Sequence, residues 1–150
     1  MNTSGDPIEI LLVEDNPGDA ELVRHGLRAG KISNHLTVVE YGADALAYLR
    51  GAGPGPGRGD TGRRPQLILL DLNLPDMSGL DILAALKADP ALRRIPVVVM
   101  TSSNSEADIV RSYELQASGY VTKPFDPQEF VRVVVAVEDY WLCLVRLPPP

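Results

Sequence analysis

LILLDLNLPDMSG, residues 67–79, sets an unbroken apolar run against an aspartate, a proline-bearing loop and a glycine. A short apolar run bounded by turn residues reads as a strand buried on both faces. Leu67 to Leu70 is therefore a strand, Asp71 stands at its downstream edge, and a helix is expected from about Leu80 to Ala88. The same grammar recurs on both sides. Ile8 to Val13 runs into Glu14 and Asp15, Val97 to Met100 into Thr101, and Gly119 to Thr122 into Lys123. In an open parallel sheet the carboxyl ends of the strands lie along one edge, where ligands bind at the point of topological reversal. Asp15, Asp71, Thr101 and Lys123, far apart in the chain, are thus expected to meet.

Helix-like segments alternate with these runs, the pattern of an α/β doubly wound domain. Asn16-Pro17 caps and opens a helix to about Ala29, with Leu22, Val23 and Leu27 facing inward. A strand over Leu36 to Glu40 and a brief helix over Ala43 to Arg50 follow. GAGPGPGRGDTGRRP, 51–65, is too rich in glycine and proline for regular structure and reads as a surface insertion, its Arg63 and Arg64 as solvated surface. Ser105 begins a capping-box-like S-E-A-D for a helix to about Ala117. Asp126, Pro127 and Glu129 start the last helix, and although the valine-rich stretch Val131 to Val137 would by propensity alone allow a strand, that start and the spacing of Phe130, Val134, Val137, Trp141 and Leu144 favour helix. One domain is expected, with a core of about 7–138 and an extended last helix and tail over 139–150.

Composition bounds the function. The 150 residues suit a single core, and a net charge of −6 argues against nucleic acid or an anionic membrane as partner. Cys143 is the only cysteine, which fits a reducing cytoplasm. The start of the chain lacks the pattern of a signal peptide, and no apolar run approaches the length of a membrane span.

Glu14, Asp15 and Asp71 bring carboxylates together, an arrangement that is costly without a proton or a cation. All-oxygen ligation with room for water suits magnesium, whose remaining positions go to phosphate oxygens. His25 and His35 have no partner at ligand spacing, so no soft-metal site is expected. Lys123 adds a positive charge and Thr101 a hydroxyl, two groups that stabilise phosphoryl oxygens. An ionised aspartate beside them is equipped to attack phosphorus and form an aspartyl phosphate.

EDN at 14–16, LLDLNLPDMSG at 69–79, MTS at 100–102 and GYVTKPF at 119–125 resemble response-regulator receiver domains over nearly the whole chain. The resemblance implies the flavodoxin-like receiver fold, a five-stranded parallel sheet in the order 2-1-3-4-5 flanked by five helices. It implies Glu14, Asp15, Asp71 and the backbone carbonyl of Asn73 as Mg2+ ligands, and Asp71 as phosphoacceptor. It implies further that Thr101 and Lys123 act beside the acceptor and that Thr101 and Tyr120 form the switch. EDNPGDAELVR, the insertion, and DYWLCLVRLP at the end further resemble single-domain regulators paired with phytochrome-type sensor histidine kinases.

With little sequence beyond the last helix, output is expected through protein binding rather than enzyme catalysis. Apolar residues on several faces of that helix suggest a homodimer, with Phe130, Tyr140, Trp141 and Leu144 as interface candidates, or equally a longer helix folded back on its own domain. Two rivals are weighed. A magnesium-dependent phosphatase of the dehalogenase kind needs a second acid where Asn73 stands. A receiver-like scaffold that binds partners without phosphorylation would be expected to have lost the acidic pair, the acceptor or the lysine, and all are present.

Overall fold

The computed structural model describes residues 7–51 and 64–149. The expected insertion therefore falls, for 52–63, outside the described residues. Five strands, β1 (Ile8–Val13), β2 (Asn34–Val39), β3 (Leu67–Leu70), β4 (Val97–Thr101) and β5 (Gly119–Thr122), pair in parallel in the order β2-β1-β3-β4-β5. Between and after them lie α1 (Pro17–Ala29), α2 (Gly42–Arg50), α3 (Gly79–Ala88), α4 (Glu106–Glu114) and α5 (Pro127–Glu138). The chain reverses direction across the sheet between β1 and β3, which makes the crevice beyond their carboxyl ends the ligand position.

Alternation along the strands divides the core into two layers. Leu11, Val13, Ile68, Leu70, Val97 and Val99 pack with Ala45, Leu49, Ile82, Leu83 and Leu86 of α2 and α3. Ile10, Leu12, Leu67, Leu69, Val98 and Met100 pack with Val23 and Leu27 of α1 and Phe130 and Val134 of α5. Both faces of the sheet are covered, so its strands are apolar throughout. No described helix is long and apolar enough to cross a membrane.

Local signals set most boundaries. Asn16, Ser105 and Asp126 each accept a hydrogen bond from the backbone N–H three residues on, and Pro17 and Pro127 open their helices. The proposed capping box is completed differently: the Asp108 carboxylate accepts from the Ser103 hydroxyl at 2.6 Å, while the Ser105 N–H donates to that same hydroxyl oxygen at 3.3 Å.

Three expectations are corrected. β2 begins two residues early, because Asn34 is held by its side-chain hydrogen bonds to the carbonyls of Leu27 and Ile32 and pairs with Ile8. α4 stops at Glu114 instead of Ala117, since Gln116 takes a left-handed φ of 70° and turns Ala117 into the core. The last helix does not extend unbroken, as α5 gives way at Asp139 to a π-helical turn through Leu144. That turn brings Leu142 inward, leaves Trp141 half-buried and turns Leu144 out, 74% exposed.

Candidate functional site

The register of β1 and β3 builds the site. Val13 pairs with Leu70, so the next residues, Glu14 and Asp71, lie side by side at the sheet edge. The loop after Asp71 folds back through a bridge between Asn73 and Ser78, and Gly79 opens α3 under it. A Cβ at Gly79 would stand 2.3 Å from the Asp71 carbonyl oxygen, so the loop closes only over a residue without a side chain.

Lys123 reaches this edge from the end of β5. Its Nζ lies 2.5 Å from Glu14 Oε1, 2.9 Å from Asp19 Oδ2 and 3.0 Å from Asp71 Oδ2. The Asn73 N–H donates to Asp71 Oδ1 at 3.3 Å, and the Asn16 N–H to Glu14 Oε2 at 3.2 Å. Thr101 is fully buried at the end of β4, and its carbonyl accepts the Lys123 N–H at 2.7 Å.

Burial pushes the Glu14 carboxyl up to about 7 against the pull of Lys123, with Asp71 adding to the rise. Burial acts the same way on Asp71, but the Lys123 charge and hydrogen bond, with the Thr101 hydroxyl, outweigh it and leave its pKa below the ordinary value. Burial alone would lower Lys123; its hydrogen bonds to Glu14 and Asp19 hold it raised. The two neighbouring carboxyls are thus pushed in opposite directions, Glu14 up by burial and Asp71 down by Lys123.

The structure brings together five of the residues read from the sequence: Glu14, Asp71 and Lys123, with Asp15 and Thr101 beside them. Glu14, Asp15 and Asp71 each place a carboxylate oxygen within 4.8 Å of the others, and Asp15 is exposed. Two buried carboxylates and one open to water, with no sulfur or imidazole in the set, fit a hard divalent cation. Asn73 is exposed and tied to Asp71 through its N–H. Tyr120 stands apart, its ring half-buried against the core and its hydroxyl donating to the Ser103 carbonyl at 2.9 Å. Phe130, expected at an interface, is 3% exposed and packs beneath the sheet, where apolar neighbours from α1 and β1 enclose it.

Two functional residues escaped the sequence reading. Asp19 completes the cage around Lys123; its signal was an acid in the first turn of the helix that leaves Glu14 and Asp15. Asp76 accepts from the N–H groups of Gly42 and Ala43 at 2.8 and 3.0 Å, fastening the loop after Asp71 to the start of α2. Its partners lie 34 and 33 residues away, so no local pattern announces it.

A doubly wound sheet with an aspartate, a lysine, a buried hydroxyl and a cation-type acidic cluster at its switch point defines a phosphoryl-capturing α/β domain. The chain belongs to the response regulator receiver domain family, which matches residues 10–135. Response regulator Rcp1 of Synechocystis sp. is 41% identical over 145 residues, 97% of this chain and 96% of that protein. The crystal structure of the phosphorylated cyanobacterial phytochrome response regulator RcpA is similar with a TM-score of 0.88 at 40% identity, covering 96% of this chain and 100% of RcpA. The Mn(2+)-bound form of Rcp1 is similar with a TM-score of 0.88 at 41% identity, covering 95% and 100%. The protein is thus a two-component response regulator of phosphorylation-dependent signalling, its family implying a histidine kinase partner and a divalent cation in the acidic pocket.

Proposed function

We propose that Asp71 is the phosphoacceptor, and the observation that carries this is the position of its carboxyl, 3.0 Å from Lys123 Nζ and inside the acidic cluster, where the lysine holds it below its ordinary pKa. An Asp71 oxygen attacks the phosphorus of a kinase phosphohistidine; the P–O bond forms as the P–N bond breaks, and the imidazole leaves with the nitrogen electron pair. Lys123 follows the phosphoryl oxygens, and Thr101 donates its hydroxyl to one of them. Glu14, Asp15, Asp71 and the carbonyl of Asn73 would hold Mg2+, which when bound neutralises charge on the incoming group. The same site then hydrolyses the acyl phosphate slowly, so the only chemistry catalysed is that of its own modification.

Output is by protein binding. A phytochrome-type sensor kinase is the proposed partner, because RcpA is described as a phytochrome response regulator and this chain matches its full length. A cytoplasmic setting follows for the kinase domain it meets, with neither nucleic acid nor membrane as ligand for a chain of charge −6. A homodimer uses the exposed Tyr140 and Leu144 together with Trp141, whose ring meets Tyr140 edge-on at 5.4 Å. Phe130 is withdrawn from that surface.

Intact mass after incubation with a small phosphoryl donor tests the reading. One magnesium-dependent phosphoryl adduct, lost in Asp71→Asn, is expected. No adduct on a folded chain would favour the phosphorylation-independent scaffold. Sedimentation showing only monomer at micromolar concentration would remove the dimer.

A further inference from the structure

A second convergence of ligand-type side chains lies away from the sheet edge, where α5 passes into the π-turn. Glu138, Asp139 and Cys143 each place one ligand atom within 4.8 Å of the others. We propose that this junction is a thiolate-containing cation site for a borderline-soft divalent ion of the zinc class.

Glu138 carries the argument beyond mere proximity. The residue is 0% exposed, yet its Oε2 has no hydrogen-bond partner among the described residues. Its Oε1 accepts the Ile32 N–H at 3.2 Å and lies 4.0 Å from Cys143 Sγ. A buried acceptor left unfilled is costly and rare, and an ion bound there is one way to satisfy it. The carboxyl is also walled in. A Cβ at Gly30 would stand 2.3 Å from Glu138 Cδ, so the end of α1 closes over the carboxyl only because position 30 lacks a side chain. Gly30 has φ −74°, open to any residue, which leaves this close approach as the reason for glycine.

The π-turn supplies the third ligand. In an α-helix residue 142 would stack over Glu138, whereas i→i+5 bonding stacks residue 143 there. The Val145 N–H donating to the Tyr140 carbonyl at 3.0 Å is one such bond. Single π-turns concentrate at functional sites. The reading from sequence weighed only His25 and His35 as soft-metal ligands and did not pair Glu138 with Cys143, which face apart at α-helical spacing.

The donor set decides the ion. One thiolate and two carboxylates suit Zn2+ far better than Mg2+ or Ca2+, which take oxygen alone. Asp139 and Cys143 are exposed, which gives an entry path and leaves the fourth position to water. Burial raises the Glu138 carboxyl above its ordinary range, and burial with the charges of Glu138 and Asp139 raises the Cys143 thiol against the opposing pull of Lys31. A bound cation removes that repulsion.

The test uses the reduced full chain in excess Mg2+, which occupies the oxygen-only pocket, with Co2+ as a spectroscopic stand-in for Zn2+. The expected result is one Co2+ per chain with a thiolate-to-cobalt charge-transfer band that added Zn2+ abolishes. Cys143→Ser should remove the band. Glu138→Gln, which keeps an acceptor for Ile32, and the surface change Asp139→Asn should each weaken binding by about tenfold or more. Absence of the band would overturn the proposal. So would a band of unchanged affinity in Asp139→Asn, which would mean a thiolate binding alone.

Discussion

Lys123 holds one ammonium among three carboxylates, two of them buried, so its removal leaves Glu14 and Asp71 facing each other without compensation. Breaking a buried pair from one side costs about 3–5 kcal/mol. Lys123→Met should lose about that much unfolding free energy in urea when divalent cations are chelated. Saturating magnesium should recover part of the loss; equal losses with and without magnesium would show that the cation does not stand in for the missing ammonium. Asp76 acts by a different route. The Ala43 and Gly42 N–H groups at the start of α2 hold its carboxyl below 3.8. A carboxyl with a depressed folded pKa adds stability above its unfolded value, and that stability is lost as pH falls through the folded one. The natural chain should therefore be more stable than Asp76→Asn near neutral pH, with the difference vanishing in acid below 3.8. A difference independent of pH, measured by urea unfolding across that range, would reassign the effect to packing.

At the level of elements, α5 and the turn after it separate what is core from what is surface. Phe130 is buried among Leu12, Leu69 and Val134 in the same layer, so Phe130→Ala should cost about 3–5 kcal/mol. Leu144→Asp, on an exposed position, should change unfolding free energy by no more than about 0.5 kcal/mol yet weaken self-association in sedimentation. The reverse pattern would return Phe130 to the interface. The strands and the caps at Asn16, Ser105 and Asp126 were legible because each is written in a few adjacent residues, whereas the strand order came only with the resemblance to receiver domains. Glu14, Asp15, Asp71, Thr101 and Lys123 were legible too, since strand ends in a parallel sheet are forced to one edge. What the sequence concealed is long-range or depends on helix pitch. Asp76 finds its partners across the fold. α-Helical spacing set Trp141 and Leu144 in line with Phe130, Val134 and Val137, and the π-turn, which no residue in DYWLCL announces, breaks that line by bringing Leu142 inward and turning Leu144 out. Gln116 ends α4 in a conformation that ordinarily selects glycine, so its stop was also unreadable.

Across the whole molecule, the acidic pocket and the outer surface share one connected path. Asp71 adjoins the buried Thr101, whose strand runs into Ser103, and the Ser103 carbonyl holds the Tyr120 hydroxyl. Tyr120 already lies against the core, so a phosphoryl group that draws Thr101 toward it acts on a ring that is turned in, and the change to be expected is in how firmly Ser103 and α4 are held. Ser103 also donates to Asp108 in the first turn of α4, which ties the helix to the same loop. Coupling between such sites amounts to about 5- to 150-fold in affinity and is reciprocal: phosphorylation alters association by the factor by which association alters phosphorylation. The ratio of dimer association constants with and without the phosphoryl group should therefore depart from unity in the natural chain. It should move back toward unity in Tyr120→Phe, which keeps the ring and loses the bond to Ser103, and in Thr101→Ala. Sedimentation of the phosphorylated and unphosphorylated forms measures both ratios. A ratio in Tyr120→Phe equal to that of the natural chain would show that the signal leaves the pocket by another path, through the loop that Asp76 fastens to α2.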